Sequence, residues 1–331
     1  MQFKRKYYVK QIFYVVVFCS KFGQVKRKFV KLYKVFCEIM NIVYLVFGDN
    51  LNNYQQVYFS IYTALVHKNN RDKIIVITEN LSLLNSFENE IEIISINRTI
   101  IKEWEGEYEF FWRVKIKALQ LVAQKYPSDS ILYLDSDTFF YKSLDLIREN
   151  LENGQNYMHL EEGKLSQLSS KTEKLMWKQM KGKSYANTTI DESSAMWNAG
   201  LIGVSKKHLD CLQNTLEIND ALCKDGVTRR LIEQFAFSVG LNNYSKLQAA
   251  DHVVGHYWGN KKEWNAFISL FLKECFMKKY TLEKIIEQVK QKDLTKLPIY
   301  IKESNTQRKL KNFIDTFFKN KKKSFVKSSE S

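Results

Sequence analysis

From residue 42 the chain alternates short apolar runs with longer stretches whose apolar residues recur at helical spacing. IVYLVF reads as a strand, VYFSIYTALVHK as a helix, KIIVIT as a second strand and IEIISI as a third. Strands separated by helical patterns predict a mainly parallel α/β sheet with helices packed on it. YEFFWRVKIKALQLVAQKY, residues 108–126, repeats its apolar positions with helical period, and Pro127 ends it. ILYL follows as a fourth strand, then FFYKSL as a short strand with a helix to about Asn150. Between Glu161 and Ser194 the chain turns polar, helical around KLMWKQMKG and loop-like around SYANTTIDESS. A long polar segment of this kind serves either as a lid beside a site or as a plain surface insertion. MWNAGLIGVS restores a buried strand, SKKHLDCLQNTLEIN and RRLIEQFAFSVGL read as helices, and DHVVGHYWGNKKEW is the last core signal. The core holds no internal repeat or low-complexity linker, and Pro298, the second of only two prolines, marks the change from folded body to tail.

The fourth strand runs straight into two carboxylates, ILYLDSDT at 131–138. Aspartate is common in turns after strands, where it bonds nearby backbone N–H groups, so the pair alone is a weak signal. In an extended segment, however, residues two apart point to the same side, which lets Asp135 and Asp137 converge beyond the strand end. Converging carboxylates repel unless a cation lies between them, and hard divalent ions take such oxygen ligands while keeping places for phosphates. The carboxyl ends of strands are where open α/β sheets hold their ligands.

Composition narrows the class. The chain has 331 residues, 45% of them hydrophobic and 14% aromatic, enough for a sizeable core. Its formal charge of +15 suggests a polyanion-binding surface until the charge is located. Residues 1–39 carry ten Lys/Arg against one acid, residues 302–331 carry nine against three, and the stretch between them balances 32 against 32. A neutral body with basic ends argues against a nucleic-acid-binding fold, whose basic footprint would lie on the body itself. The five cysteines, Cys19, Cys37, Cys211, Cys223 and Cys275, show no CxxC spacing and read as reduced thiols of a cytoplasmic chain. IFYVVVFC at 12–19 is the longest apolar run near the start, too short against the ~20 residues that span a bilayer. Residues 1–39 therefore read either as a start-site artefact preceding Met40 or as a peripheral basic-apolar anchor.

The order ILYLDSDTFF, WNAGLIGV, EQFAF, HYWGNKKEW resembles the GT-A nucleotide-diphospho-sugar glycosyltransferases, most closely glycosyltransferase family 8, over about residues 40–265. The resemblance implies a GT-A, Rossmann-like mixed sheet flanked by helices with a helical C-terminal extension. It also implies a catalytic domain at 40–278, a basic tail at 279–331, and transfer of a hexosyl group from a nucleotide diphosphate sugar to a glycan or lipid-linked glycan with retention. The expected metal is Mn²⁺ or Mg²⁺. Asp135 and Asp137 stand at the family's DxD motif, with Asp137 a direct ligand and Asp135 shared between metal and donor ribose. His256 matches the late metal-binding histidine, and His252 is its rival. Gly259 and Lys261 match a close backbone approach and a diphosphate cation, although an extra residue leaves Lys261 and Lys262 both eligible. Arg113 corresponds to a donor-holding arginine and shares a helix face with Lys117, a spacing that a solvated helix face also shows. Asn198 falls at the Asn-Ala-Gly segment near sugar and acceptor, Glu233 and Gln234 at an acidic-Gln pair near the reacting carbon, and Asp49, Asn53 and Tyr54 at the base and ribose contacts.

Two other classes compete. A haloacid dehalogenase-type phosphatase also places DxD after an apolar strand, yet it needs a later lysine and a further acidic pair, and no adjacent aspartates follow here. A non-enzymatic anion- or membrane-surface protein would use the basic ends, and TQRKLKNFIDTFFKNKKKSFVK interleaves aromatics with lysines as peripheral helices do. An enzyme acting on lipid-linked glycans at the inner face of a membrane reconciles a neutral catalytic body with those ends.

Overall fold

The structure is a computed structural model and describes residues 39–87, 89–301 and 313. The N-terminal extension before residue 39, and the basic tail from 302 except residue 313, lie outside the described residues.

The first half builds its strands as the apolar pattern predicts, while its first helix starts six residues earlier than read and a short helix at Arg98–Glu105 was not read. Strand β1 (Met40–Val46) leads to helix α1 (Leu51–His67), whose first turn is capped by the Asn50 side chain accepting from the Asn52 N–H. Strand β2 (Lys73–Thr78), strand β3 (Ile91–Ser95) and helix α2 (Arg98–Glu105) follow. Helix α3 covers Arg113–Lys125, five residues shorter at its start than the sequence predicts. Gly106 and Glu109 both take positive φ, which no α-helix accommodates, so residues 106–112 form turns that bury Phe110 and leave Phe111 and Trp112 exposed. Strand β4 (Ser130–Leu134) is wholly buried and is followed by the short strand β5 (Thr138–Phe140).

Helix α4 (Asp145–Glu152) precedes strand β6 (Tyr157–Lys164), which the sequence reading lacks. Its first three residues are buried while most of LEEGK is not, and two register irregularities interrupt its pairing, so neither alternation nor an apolar run marks it. Helix α5 (Lys171–Met180), the hairpin β7 (Ser184–Tyr185) and β8 (Thr188–Thr189), and the long buried strand β9 (Ala195–Val204) come next. Helices α6 (Cys211–Lys224) and α7 (Ile232–Asn242), strands β10 (Gln248–Ala249) and β11 (Val254–His256), and helices α8 (Lys261–Met277) and α9 (Leu282–Lys290) complete the body.

The main sheet runs β10-β6-β9-β4-β1-β2-β3. Strands β3, β2, β1 and β4 are parallel, whereas β9 pairs antiparallel with both β4 and β6. This is the mixed, mainly parallel α/β sheet with flanking helices that the sequence predicts. One buried cluster joins β1, α1 and α8 on one face, where Ile285, Val289 and Leu294 also pack, and a second joins β4, α3 and α6 on the other. Because β9 reverses the sheet next to β4, the end of β4 sits between a parallel half and an antiparallel half. Cys211, Cys223 and Cys275 are free thiols, and among the described residues no helix is long and apolar enough to cross a membrane.

Candidate active site

At the end of β4 the extended backbone sends alternate side chains to opposite sides. The Asp135 N–H donates to the Gly200 carbonyl of β9 at 2.9 Å, and the Thr138 hydroxyl donates to the Asp135 carbonyl at 2.8 Å, which fixes the turn. Between the aspartates Ser136 donates to the Gln56 amide oxygen at 3.0 Å. Asp135 and Asp137 meet His256, the ligand atoms of the three lying within 4.8 Å of one another.

His256 arrives by a separate route. Strand β11 pairs antiparallel with β5, and its register sets His256 opposite Thr138, immediately after the aspartates. The ring's orientation is set by Asn198. The Asn198 Nδ2 donates to Glu162 Oε1 at 3.2 Å, and its Oδ1 already accepts from the Gly200 N–H at 3.0 Å, so the amide is fixed with its oxygen toward the histidine. His256 Nδ1 lies 2.9 Å from that oxygen and must donate to it. The proton on Nδ1 leaves the Nε2 lone pair, 3.3 Å from Asp137 Oδ1, facing the carboxylates. Gly200 makes room for the ring, since a Cβ there would come within 2.1 Å of His256 Nδ1. Two carboxylates and one free imidazole nitrogen form a donor set that fits a divalent transition ion such as Mn²⁺.

The two carboxylates have different neighbours. Asp137 is buried, and Lys261 at the start of α8 reaches its Oδ2 at 2.9 Å. Burial alone would raise its pKa, but the His256 ring when it carries protons on both nitrogens, together with the Lys261 ammonium, outweighs burial and holds the carboxyl well below the usual range. Asp135 Oδ1 accepts from the Tyr133 hydroxyl at 2.9 Å and faces Lys115 Nζ at 3.0 Å. Lys115, buried on α3, also reaches Glu233 Oε1 at 2.9 Å and the Ala199 carbonyl at 3.3 Å. Burial works against its charge, and the two carboxylates more than restore it. Glu233 is pushed above its ordinary pKa by burial and by Asp135, with Lys115 opposing.

These groups open onto a cavity of about 930 Å³ lined from both halves of the chain. Phe47, Phe111 and Trp112 form an aromatic wall at the end of β1, with Phe47 and Phe111 centroids 5.5 Å apart. Glu162 from β6 faces the cavity and accepts from both Asn198 and Gln234, the latter at 2.9 Å. The first turn of α5, Ser170–Glu173, forms part of the opposite wall, so this part of the polar segment adjoins the site while the β7–β8 hairpin does not.

Of the residues singled out from the sequence, Asn53, Asp135, Asp137, Asn198, Gln234, His256 and Lys261 line the cavity. Lys262 and His252 do not. Asp49 is exposed in the turn after β1, outside the lining, and Tyr54 is buried with its hydroxyl donating to the Gly48 carbonyl at 3.0 Å. Arg113 is turned to Asp220 at 2.7 Å and to the Trp104 carbonyl, and Lys117 also lies off the cavity. The cation that α3 presents is Lys115, about 200° around the helix from Arg113. Glu233 lies beneath the cavity floor on Lys115. Gly259 admits the Tyr300 ring, for a Cβ there would come within 2.1 Å of it, so its small size is used by the protein's own chain. Glu162 and Lys115 were missed from sequence. Only the alternation along the strands could have indicated Glu162, in a strand whose pattern is interrupted.

No family model matches the chain, and no curated protein matches it. Similar solved structures are sugar transferases. The galactosyltransferase LgtC in complex with donor and acceptor sugar analogues is 12% identical, over 82% of this chain and 99% of that one, at a TM-score of 0.47. Mouse xyloside xylosyltransferase 1 in its apo form is 10% identical, over 64% and 84%, at 0.43. The glycosyltransferase GlyE of Streptococcus pneumoniae is 13% identical, over 74% and 52%, at 0.40.

Proposed function

We propose that this chain is a metal-dependent glycosyltransferase of the GT-A, family 8 type. In this reading it moves a hexosyl group, with retention, from a nucleotide diphosphate sugar to a glycan or lipid-linked glycan. The observation that carries it is the convergence of Asp135, Asp137 and the Nε2 of His256, with Lys261 beside them, at the edge of a cavity large enough for a nucleotide sugar. The motif order described above supplies the remaining support.

Breaking a bond between an anomeric carbon and a diphosphate leaves negative charge on phosphate oxygens. Asp135, Asp137 and His256 would hold a divalent ion, which would supply charge neutralisation at that leaving group. Lys261, whose side chain is 52% exposed, is free to swing from Asp137 to a phosphate. Phe47, Phe111 and Trp112 offer a surface against which a base stacks, and Asn53 lies within the same end of the cavity. Gln234 and Glu162 present amide and carboxylate groups suited to sugar hydroxyls, and Asn198 sets the imidazole. Residues 40–278 then form the catalytic unit, against which Ile285, Val289 and Leu294 of the extension 279–331 pack.

A phosphatase reading asks Asp135 to attack phosphorus. Its Oδ1 is engaged by Tyr133 and Lys115, and the other carboxylates in the cavity, Glu162 and Glu173, are not an adjacent pair. The deciding experiment is thermal stability of the full chain against a panel of nucleotide sugars, with Mn²⁺, with Mg²⁺ and with chelator, beside Asp137→Asn. Sugar transfer requires a metal-dependent rise with one nucleotide sugar that the variant loses. A folded chain that responds to no donor under any metal condition rejects the reading.

A further inference from the structure

Phe276, Met277 and Leu270 are 82%, 77% and 70% exposed, the highest values among large apolar side chains of the described residues, and all three lie on α8. The same helix buries Trp264, Ile268, Phe271 and Cys275 in the core, so its inner face already accounts for its packing. The outer face repeats at helical spacing through Lys262, Ala266, Leu270, Lys273 and Met277, all exposed. Leu270 and Met277 lie on this face among lysines, with Phe276 about 100° to one side in the last turn, and such large apolar side chains that the fold does not use mark a contact with something else.

Charge around this face says what. Lys273 lies within it, and Lys278 and Lys279 follow Met277. Of the two carboxylates on this helix, Glu263 accepts from Asn260 at 3.0 Å and Glu274 is bonded by Lys278 at 2.7 Å. A symmetric contact with a second copy would set these lysines against one another. A surface carrying phosphate groups over an apolar interior satisfies both features at once.

We propose that the outer face of α8 docks on a bilayer with anionic headgroups. Leu270, Phe276 and Met277 enter the boundary between headgroups and acyl chains, and the lysines meet lipid phosphates. This surface belongs to the folded body and is separate from the basic ends. It does not depend on the sugar-transfer reading.

The test is co-sedimentation of the full chain with phosphatidylcholine vesicles and with vesicles containing phosphatidylglycerol, compared with Leu270→Ser/Phe276→Ser/Met277→Ser. The three side chains are exposed, so the variant keeps its thermal unfolding temperature. Expected is binding that favours the anionic vesicles and falls with salt, weakened at least tenfold in the triple variant, with Lys273→Glu/Lys279→Glu reducing the preference for anionic over neutral lipid. Wild-type chain that ignores both vesicles, or a triple variant that binds as well as wild type, overturns the proposal. So does a triple variant whose sedimentation velocity changes from dimer to monomer, since this face then joins copies of the chain.

Discussion

Asp135 and Asp137 are two residues apart on one turn, yet they are held in opposite ways. Asp135 rests on an internal support: a tyrosine hydroxyl and a lysine that is itself only 7% exposed and shared with Glu233. Asp137 rests on groups that can be exchanged, a histidine with a free nitrogen and a lysine tip half in solvent. A buried ion pair gives fixed position at the cost of desolvation, so the Asp135 side works as a frame. An exposed lysine gives charge without fixed position, so the Asp137 side is where an incoming cation and phosphate can displace what is present. One carboxylate locates the site and the other answers the ligand.

That contrast breaks most readily at Lys115. Lys115→Met leaves Asp135 and Glu233 facing each other without a cation, and is expected to cost about 3–5 kcal/mol in a denaturant titration. A loss below about 1 kcal/mol would mean that Asp135 is not framed by this pair. The next effect belongs to Asp137. In Asp137→Asn the stabilisation conferred by metal and donor disappears, a loss of about 2.7 kcal/mol when ligand stands at one hundred times its dissociation constant. The metal-free chain should lose less than Lys115→Met does, because Lys261, half exposed, can be solvated when its partner is gone. Equal losses for the two variants without ligand would erase the distinction between frame and responder.

The frame was hidden from sequence and the responder was legible. DSD after ILYL carries its meaning in local spacing, because strand alternation acts over a few residues, whereas the histidine in HYWG was legible through its family motif, since the β5–β11 pairing that sets it beside the aspartates joins positions more than a hundred residues apart. The strands β1 to β4 were legible for the same reason as the aspartates, each an apolar run bounded by turns, and α1 and α3 were legible by their helical period, whereas the short α2 was not read. Lys115 is one of several cations on α3, and its inward face is settled only by how α3 lies on the sheet. Arg113 was the natural choice from motif position, and it is spent on Asp220, a residue more than a hundred positions away. The strand β6 was hidden by its bulges, and Glu162 with it.

A smaller effect sharpens the account of the responder. Gly200→Ala pushes a methyl group into the imidazole of His256 and leaves both aspartates and Lys115 in place. Loss of an oriented ligand typically lowers metal affinity ten- to a hundredfold. A calorimetric titration of Mn²⁺ into the folded variant should fall in that range. Unchanged affinity would remove His256 from the donor set and leave the two carboxylates alone.

The smallest effect concerns Glu162, the carboxylate that touches neither support. Burial raises its pKa, against donations from Asn198 and Gln234 that lower it. A carboxyl raised on folding contributes stability that is fully present below its unfolded pKa of about 4.3 and is lost as pH rises through the folded value. At neutral pH the native chain therefore carries a small cost that Glu162→Gln does not. Asn198 cannot turn over, because its oxygen holds His256, but Gln234 can reverse its amide and accept from the new side chain, so both hydrogen bonds survive. The variant should be more stable than wild type at pH 7 by less than about 1 kcal/mol, with the difference shrinking toward pH 4. Transfer activity should fall at the same time, since a carboxylate kept at a stability cost beside the reacting groups is retained for what it binds. A variant that is less stable at pH 7 and fully active would make Glu162 a structural acceptor for Asn198 and Gln234, and would join the cavity floor to the frame instead of to the responder.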